Sequence, residues 1–197
     1  ENVPGCVANG ISEEIANKIY NEMIDFAKYA FNKSHAAAYA VVAYQTAYLK
    51  YYHPVEYMAA LMTSVIDNPG KVAEYIYSCR QMGIKILPPD INRGVGNFSV
   101  DNGNIRYGLA AIKSIGRPVI ESIIEERELR GEFKNLKDFI ERLSNKEVNK
   151  RTVENFIKSG AFDSLKGTRK QLMMIYIRVM DQVNQEKKYS MTGQMSL

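Results

Sequence analysis

In the stretch FAKYAFNKSHAAAYAVVAYQTAYLKYY, residues 26 to 52, an amide, an ammonium, a hydroxyl and an imidazole stand together as Asn32, Lys33, Ser34 and His35, directly before a long apolar run. A helix opening near Ala36 exposes unpaired backbone amides and a partial positive charge at its start. Donor side chains collected at that point make a site fit for phosphate. The same residues also have a plainer reading, in which Ser34 caps the helix and Lys33 is solvated. Nucleophilic catalysis by Ser34 with His35 as base fits poorly, because neighbours at a helix start point in different directions and no third group orients the imidazole. On the helix, Ala36, Ala40, Ala43 and Ala47 fall in a narrow angular window, a smooth stripe that a flat ligand or another helix can approach.

A second stretch, LAAIKSIGRPVIESIIEER, residues 109 to 127, reads as two short helices joined by Lys113, Ser114, Ile115 and Gly116, with Arg117 and Pro118 opening the second. The apolar residues Leu109, Ile112, Ile115, Ile120 and Ile123 resemble the helix-hairpin-helix pattern, in which a short glycine–apolar–glycine hairpin separates two helices. Gly116 lets a phosphate come close to the backbone, and the amides that follow can donate to it. Binding of this kind holds DNA without reading its sequence. Ser114 departs from the pattern, which prefers glycine there. The alternative is an ordinary helical hairpin with Ile115 as a core plug. The segment IKSGAF, residues 157 to 162, is a faint echo that suggests a second, degenerate copy.

The elements that must position these residues are mostly helical. Ser12 precedes a run with Ile15, Ile19, Met23, Phe26 and Ala30 on one face, a surface helix. Residues 36 to 52 are apolar nearly all round, which predicts a buried helix ended by His53-Pro54. A third helix runs to about Val65, DNPG (67 to 70) makes a turn, and a fourth helix closes on Gly83. Phe98, Val100, Ile105 and Tyr107 around Asn102-Gly103 predict a β-hairpin. Short helices are expected at about 108–113, 117–130, 136–143, 149–159 and 166–186, and a mobile tail after that. The expected fold is therefore mainly α: a helical segment over 1–90, a β-hairpin with the helix-hairpin-helix module over 91–186, and a tail over 187–197.

Composition narrows the function classes. A chain of 197 residues can bury a sizeable core. Its two cysteines have neither disulfide nor metal-ligand spacing, which predicts a reducing, cytoplasmic setting. Gln45, Lys50 and His53 interrupt the longest apolar runs, so no membrane span or membrane partner is expected, and the first residues lack the parts of an export signal. A net charge of +4 suits a polyanionic partner without requiring one. The first residue and the closing GQMSL suggest a piece of a longer chain.

In order and over almost all of its length, the sequence is similar to the bacterial DNA polymerase III alpha subunits, the C-family replicative polymerases. FNKSHAAAYAVVAYQTAYLKYYHPVEYMAALMTSV resembles their fingers segment, and ILPPDIN followed by IRYGLAAIKSIG resembles their passage into the helix-hairpin-helix region. The final Gln194, Met195, Ser196 and Leu197 resemble the start of their sliding-clamp motif, which usually ends in Leu-Phe. The resemblance implies that Asn32 to His35 lie near the incoming deoxynucleoside triphosphate and nascent base pair. It implies primer-template DNA, the sliding clamp and other replicase subunits as partners, and Mg2+ for the full-length polymerase. The family holds its metal ions with palm aspartates that include a D-x-D pair, and this sequence has no D-x-D. A segment with fingers and duplex-binding roles, inactive alone and needing no cofactor of its own, is the expectation. The competing reading is a stand-alone, non-catalytic helix-hairpin-helix DNA-binding or scaffold protein. A hydrolase using Ser34 and His35 is the remote third.

Overall fold

The structure, a computed structural model, describes residues 5–28, 32–143 and 148–193. The chain divides into two compact units, Glu1–Leu49 and Lys50–Leu197. The first unit contains helix α1 (Glu13–Lys28) and most of α2 (Lys33–Tyr52). Ser12 caps α1 as expected: its Oγ accepts from the Ile15 amide at 3.4 Å, and Glu13 and Glu14 meet the positive end of the helix.

Helix α2 differs from its reading in two respects. It starts at Lys33, a turn earlier than Ala36, because Asn32 rather than Ser34 is the cap. The Asn32 Oδ1 accepts from the Ser34 amide at 3.0 Å, and its carbonyl accepts from Ala36 at 3.0 Å. Moreover, none of its residues is buried. Apolarity on every side identifies a helix that needs cover, but the cover is not supplied by the described residues.

In the second unit Pro54 opens α3 (Pro54–Ser64), and Asn68 caps α4 (Pro69–Gln81) by accepting from the Lys71 amide at 3.1 Å. Gly83 follows at φ +74°, the expected left-handed closure. Three short strands make one sheet in the order β1-β3-β2: β1 (Ile86–Leu87), β2 (Ser99–Asp101) and β3 (Asn104–Arg106). The β2–β3 hairpin turns at Asn102 and Gly103, both at positive φ as a two-residue turn of this twist requires. Strand β1, parallel to β3, was not predicted; two residues before Pro88-Pro89 carry no readable alternation.

Two cores fill this unit. Met58, Met62, Val72, Cys79 and Ile84 pack with Phe98 and Ile105 of the hairpin segment. The hairpin therefore belongs with α3 and α4, and the boundary expected near residue 90 lies across this core. The other core joins a single 3₁₀ turn (Leu109–Ala111), α5 (Arg117–Arg130), α6 (Leu136–Leu143), α7 (Lys150–Ser159) and α8 (Arg169–Gly193). Phe133, Phe139, Phe156 and Phe162 form its centre, with Phe139 edge-on to Phe133, Phe156 and Phe162 at centroid distances of 5.1, 6.1 and 4.9 Å. Helix α8 continues to Gly193, into the expected tail, since Gln, Glu and Lys favour helix and nothing before Gly193 breaks it. Lys187 secures it by donating to the Glu141 carbonyl at 3.0 Å. The mainly α fold expected from the sequence is what the chain adopts.

Candidate nucleic-acid interface

The loop between the 3₁₀ turn and α5 is built differently from the pattern that predicted it. The first element is one turn rather than a helix over 108–113, because Ile112 leaves helical geometry at ψ 124°. The left-handed residue is Ser114, at φ +64°, which gives a physical reason for the family's glycine at that place. Gly116 is extended, at φ −78° and ψ 149°, so no conformational demand explains it. A Cβ built there meets nothing nearer than Pro118 Cδ at 3.6 Å. The fold would accept a side chain at 116; only something approaching from outside would not.

Around Gly116 the donors are open. No acceptor among the described residues reaches the amides of Gly116, Arg117 or Val119, while Ile120 donates back to the Gly116 carbonyl at 3.4 Å. Pro118, without an N–H, removes one unsatisfied donor from the first turn. Lys113, Ser114, Gly116 and Arg117 are exposed, but Ile115 is buried at 8 % exposure in the helical core. The Ile115 side chain is therefore an anchor for the loop and unavailable for contact.

Helix α7 runs beside this loop. Arg151 Nη2 donates to Ser114 Oγ at 3.3 Å, and Asn155 Nδ2 donates to the Lys113 carbonyl at 3.0 Å. Beyond them a groove of about 450 Å³ opens between Lys113 and Lys158, lined also by Tyr107, Asn155 and Ser159. Burial pushes the Tyr107 phenol above its ordinary value, so it stays protonated at neutral pH. Sequence reading missed Arg151 and Lys158; their signal was the spacing 151, 155, 158 on one helix face, legible only once a neighbour for that face is known.

The echo at 157 to 162 turns out to be a helix end. Gly160, at φ +86°, closes α7, with Ala161 donating to the Phe156 carbonyl and Gly160 to that of Ile157. A Cβ on Gly160 would be strained at this φ and would displace the Arg169 guanidinium, and Ala161 and Phe162 are buried. That glycine serves the fold itself, in contrast to Gly116.

In the first unit, Lys33, Ser34 and His35 occupy the exposed first turn of α2, with Asn32 as its cap. The His35 ring packs on Tyr39 one turn on, with centroids 4.4 Å apart. Gln194, Met195, Ser196 and Leu197 lie outside the described residues.

The family model for the helix-hairpin-helix motif matches residues 83–172, which contain the loop just described. DNA polymerase III subunit alpha of Saccharopolyspora erythraea is 44% identical over 193 residues, 98% of this chain and 16% of that protein. The subunit of Escherichia coli K12 is 47% identical over 191 residues, 96% of this chain and 16% of its own length. That of Mycobacterium tuberculosis H37Rv is 42% identical over 193 residues, with 98% and 16% covered. The chain is related to one segment of the DNA polymerase III alpha subunits. It spans about 16% of the length of these curated relatives. Among the described residues no helix is long and apolar enough to cross a membrane.

Proposed function

We propose that this chain is a DNA-engaging segment of a replicative DNA polymerase alpha subunit, holding the duplex at the Lys113–Arg117 hairpin. The observation that carries the reading is Gly116: exposed, extended, with room for a Cβ at ordinary contact distance, and next to amides that no acceptor among the described residues reaches. A phosphate oxygen is an acceptor of the right size and charge for that place. Lys113 and Arg117 add positive charge on either side.

The test is duplex binding by fluorescence anisotropy. Gly116→Val should weaken it at least tenfold while shifting stability by no more than about 1 kcal/mol, the usual difference at a helix N-cap. Unchanged binding would remove the hairpin from the interface. Binding should also be indifferent to sequence, and a strong preference for one of two unrelated duplexes would require base contacts instead.

Nucleotidyl transfer, in this proposal, belongs to the whole polymerase. Its Mg2+ would be held by carboxylates outside this segment. The first turn of α2, Asn32 to His35, would face the phosphates of the incoming deoxynucleoside triphosphate, with Lys33 and His35 donating and Asn32 fixing the turn through its cap. Gln194 to Leu197 would bind the sliding clamp, and other replicase subunits would complete the assembly. In a complete polymerase, Lys33→Ala and His35→Ala should each lower kcat/KM for the nucleotide roughly ten- to a hundredfold, the equivalent of one charge-assisted hydrogen bond. Steady-state kinetics checked against thermal melts decides it: a kcat/KM equal to that of the parent would leave Lys33 and His35 with no part in nucleotide binding.

A further inference from the structure

Helix α7 offers more than support for the loop. Arg151 is exposed, and no carboxylate among the described residues reaches its guanidinium; the hydrogen bond to Ser114 Oγ aims it along the hairpin. Lys158, 60 % exposed, stands on the same side at the far end of the helix, beside the groove that Lys113 closes from the other wall. That groove is lined by two lysines and by no carboxylate. The acid nearest to Lys158 is Glu154, its ion-pair partner one turn back. Seven residues separate the two cations, about 10 Å along the helix axis, too far to share one phosphate.

We propose that Arg151 and Lys158 bind backbone phosphates of the same duplex that the hairpin holds, so that the module follows a strand over several phosphates along α7. This rests on the hairpin reading and extends it from the Lys113–Arg117 loop to the surface of α7. Lys150 marks the limit of the track: it is on the same helix but turns to α8, where it pairs with Asp181 at 2.8 Å, and it does not line the groove.

The experiment is an anisotropy titration of the whole chain with a fluorescent duplex over a series of salt concentrations. Arg151→Gln and Lys158→Gln should each flatten the log-log salt slope by about 0.9, and the double variant by about 1.8. Glutamine at 151 removes the charge and keeps an N–H donor, and the Asn155 bond to the Lys113 carbonyl still supports the loop. Glu154→Gln, which releases Lys158 from its ion pair, should tighten binding at low salt about twofold or more. Lys150→Gln should leave the slope unchanged. A folded double variant with the parent's slope overturns the inference, as does a loss equal to that of Lys150→Gln, since net charge alone would then explain it. Gly116→Val in the same titration separates the two readings. If it binds as the parent does while the double variant loses slope, the hairpin reading fails and the α7 track stands. If it loses binding while the double variant keeps its slope, only the track fails. A parent chain that binds no duplex overturns both.

Discussion

Gly108→Ala should destabilise the second unit by about 3 kcal/mol or more, whereas Gly116→Ala, eight residues on, should cost no more than about 0.5 kcal/mol. The backbone at Gly108 is ordinary, at φ −67° and ψ 136°, so the whole cost is steric. A Cβ there would lie 2.6 Å from the Gly96 carbonyl oxygen, 2.7 Å from the Asn97 carbonyl carbon and 2.9 Å from the Phe98 nitrogen. All three are main-chain atoms and cannot turn aside as a side chain could. They are held by a zip of hydrogen bonds, Leu109 to the Val95 carbonyl at 2.9 Å and Ala110 to that of Gly96 at 3.0 Å. Parting the two segments to admit a methyl group strains those bonds and withdraws Leu109 and Phe98 from their cores. Urea unfolding of both alanine variants, with the denaturant dependence compared to ensure like transitions, measures the difference. A Gly108→Ala chain within about 0.5 kcal/mol of the parent would mean that the approach is looser than described. The pair also separates a glycine the fold requires from one that only a partner requires.

How much of this could be read in the sequence depends on the range of the interaction that decides each feature. Local chemistry was legible. Asn102-Gly103 announced its turn, Pro54 its helix start, Gly83 its helix end and Ser12 its cap, because each acts on residues within a turn of itself. Asn32 could have been recognised as the cap of α2, since an amide two residues before Ser34 competes for the same amides; the longer polar cluster obscured which member wins. Features that need a distant neighbour were not legible. Strand β1 exists because β3 lies beside Ile86, and Arg151 matters because Ser114 lies beside α7. The burial expected for α2 failed for a related reason: periodicity states that a helix has no polar face, but not which surface covers it. At the candidate site, the motif pointed to Gly116 as the place of close approach and to Ser114 as a departure from glycine, but it did not show which of the two has the left-handed backbone. Ser114 has the unusual backbone conformation and Gly116 the open approach.

Arg142→Ala is expected to cost 3 to 5 kcal/mol, although it removes a side chain that touches no proposed ligand. Arg142 lies on α6 with its side chain only 8 % exposed, and its guanidinium closes the far end of α5. It donates to the Glu126 carbonyl in the last turns of α5 and, through both terminal nitrogens, to the Gly131 carbonyl at 3.1 Å just past the helix end. Its charge faces the Glu126 carboxylate at 3.6 Å, and its guanidinium carbon sits 4.2 Å from the centre of the Phe133 ring. Alanine would take the Arg142 charge away from Glu126, itself 8 % exposed and also paired with Arg130 at 2.8 Å, and would remove the guanidinium donors from the Gly131 carbonyl. Lysine should rescue little, since a single ammonium cannot reach two carbonyls and stack on a ring at once. The ion pair itself need not be the source of the stability: replacing Arg142 and Glu126 together by leucine should recover a good part of the loss, as buried ion pairs often yield to apolar pairs. Equilibrium unfolding of the two single variants and the double tests this. A loss below about 1 kcal/mol for Arg142→Ala would mean water replaces the guanidinium without penalty. The consequence for the proposed function is specific. Helix α5 starts at the phosphate-facing loop and is fixed at its other end by Arg142, while Arg127 of the same helix donates to the Ile91 and Gly94 carbonyls at 2.9 Å each. The clasp acts at the end of α5 away from the loop and reaches it only through the stability of the helix, so duplex binding by Arg142→Ala should fall only as far as its folded fraction falls.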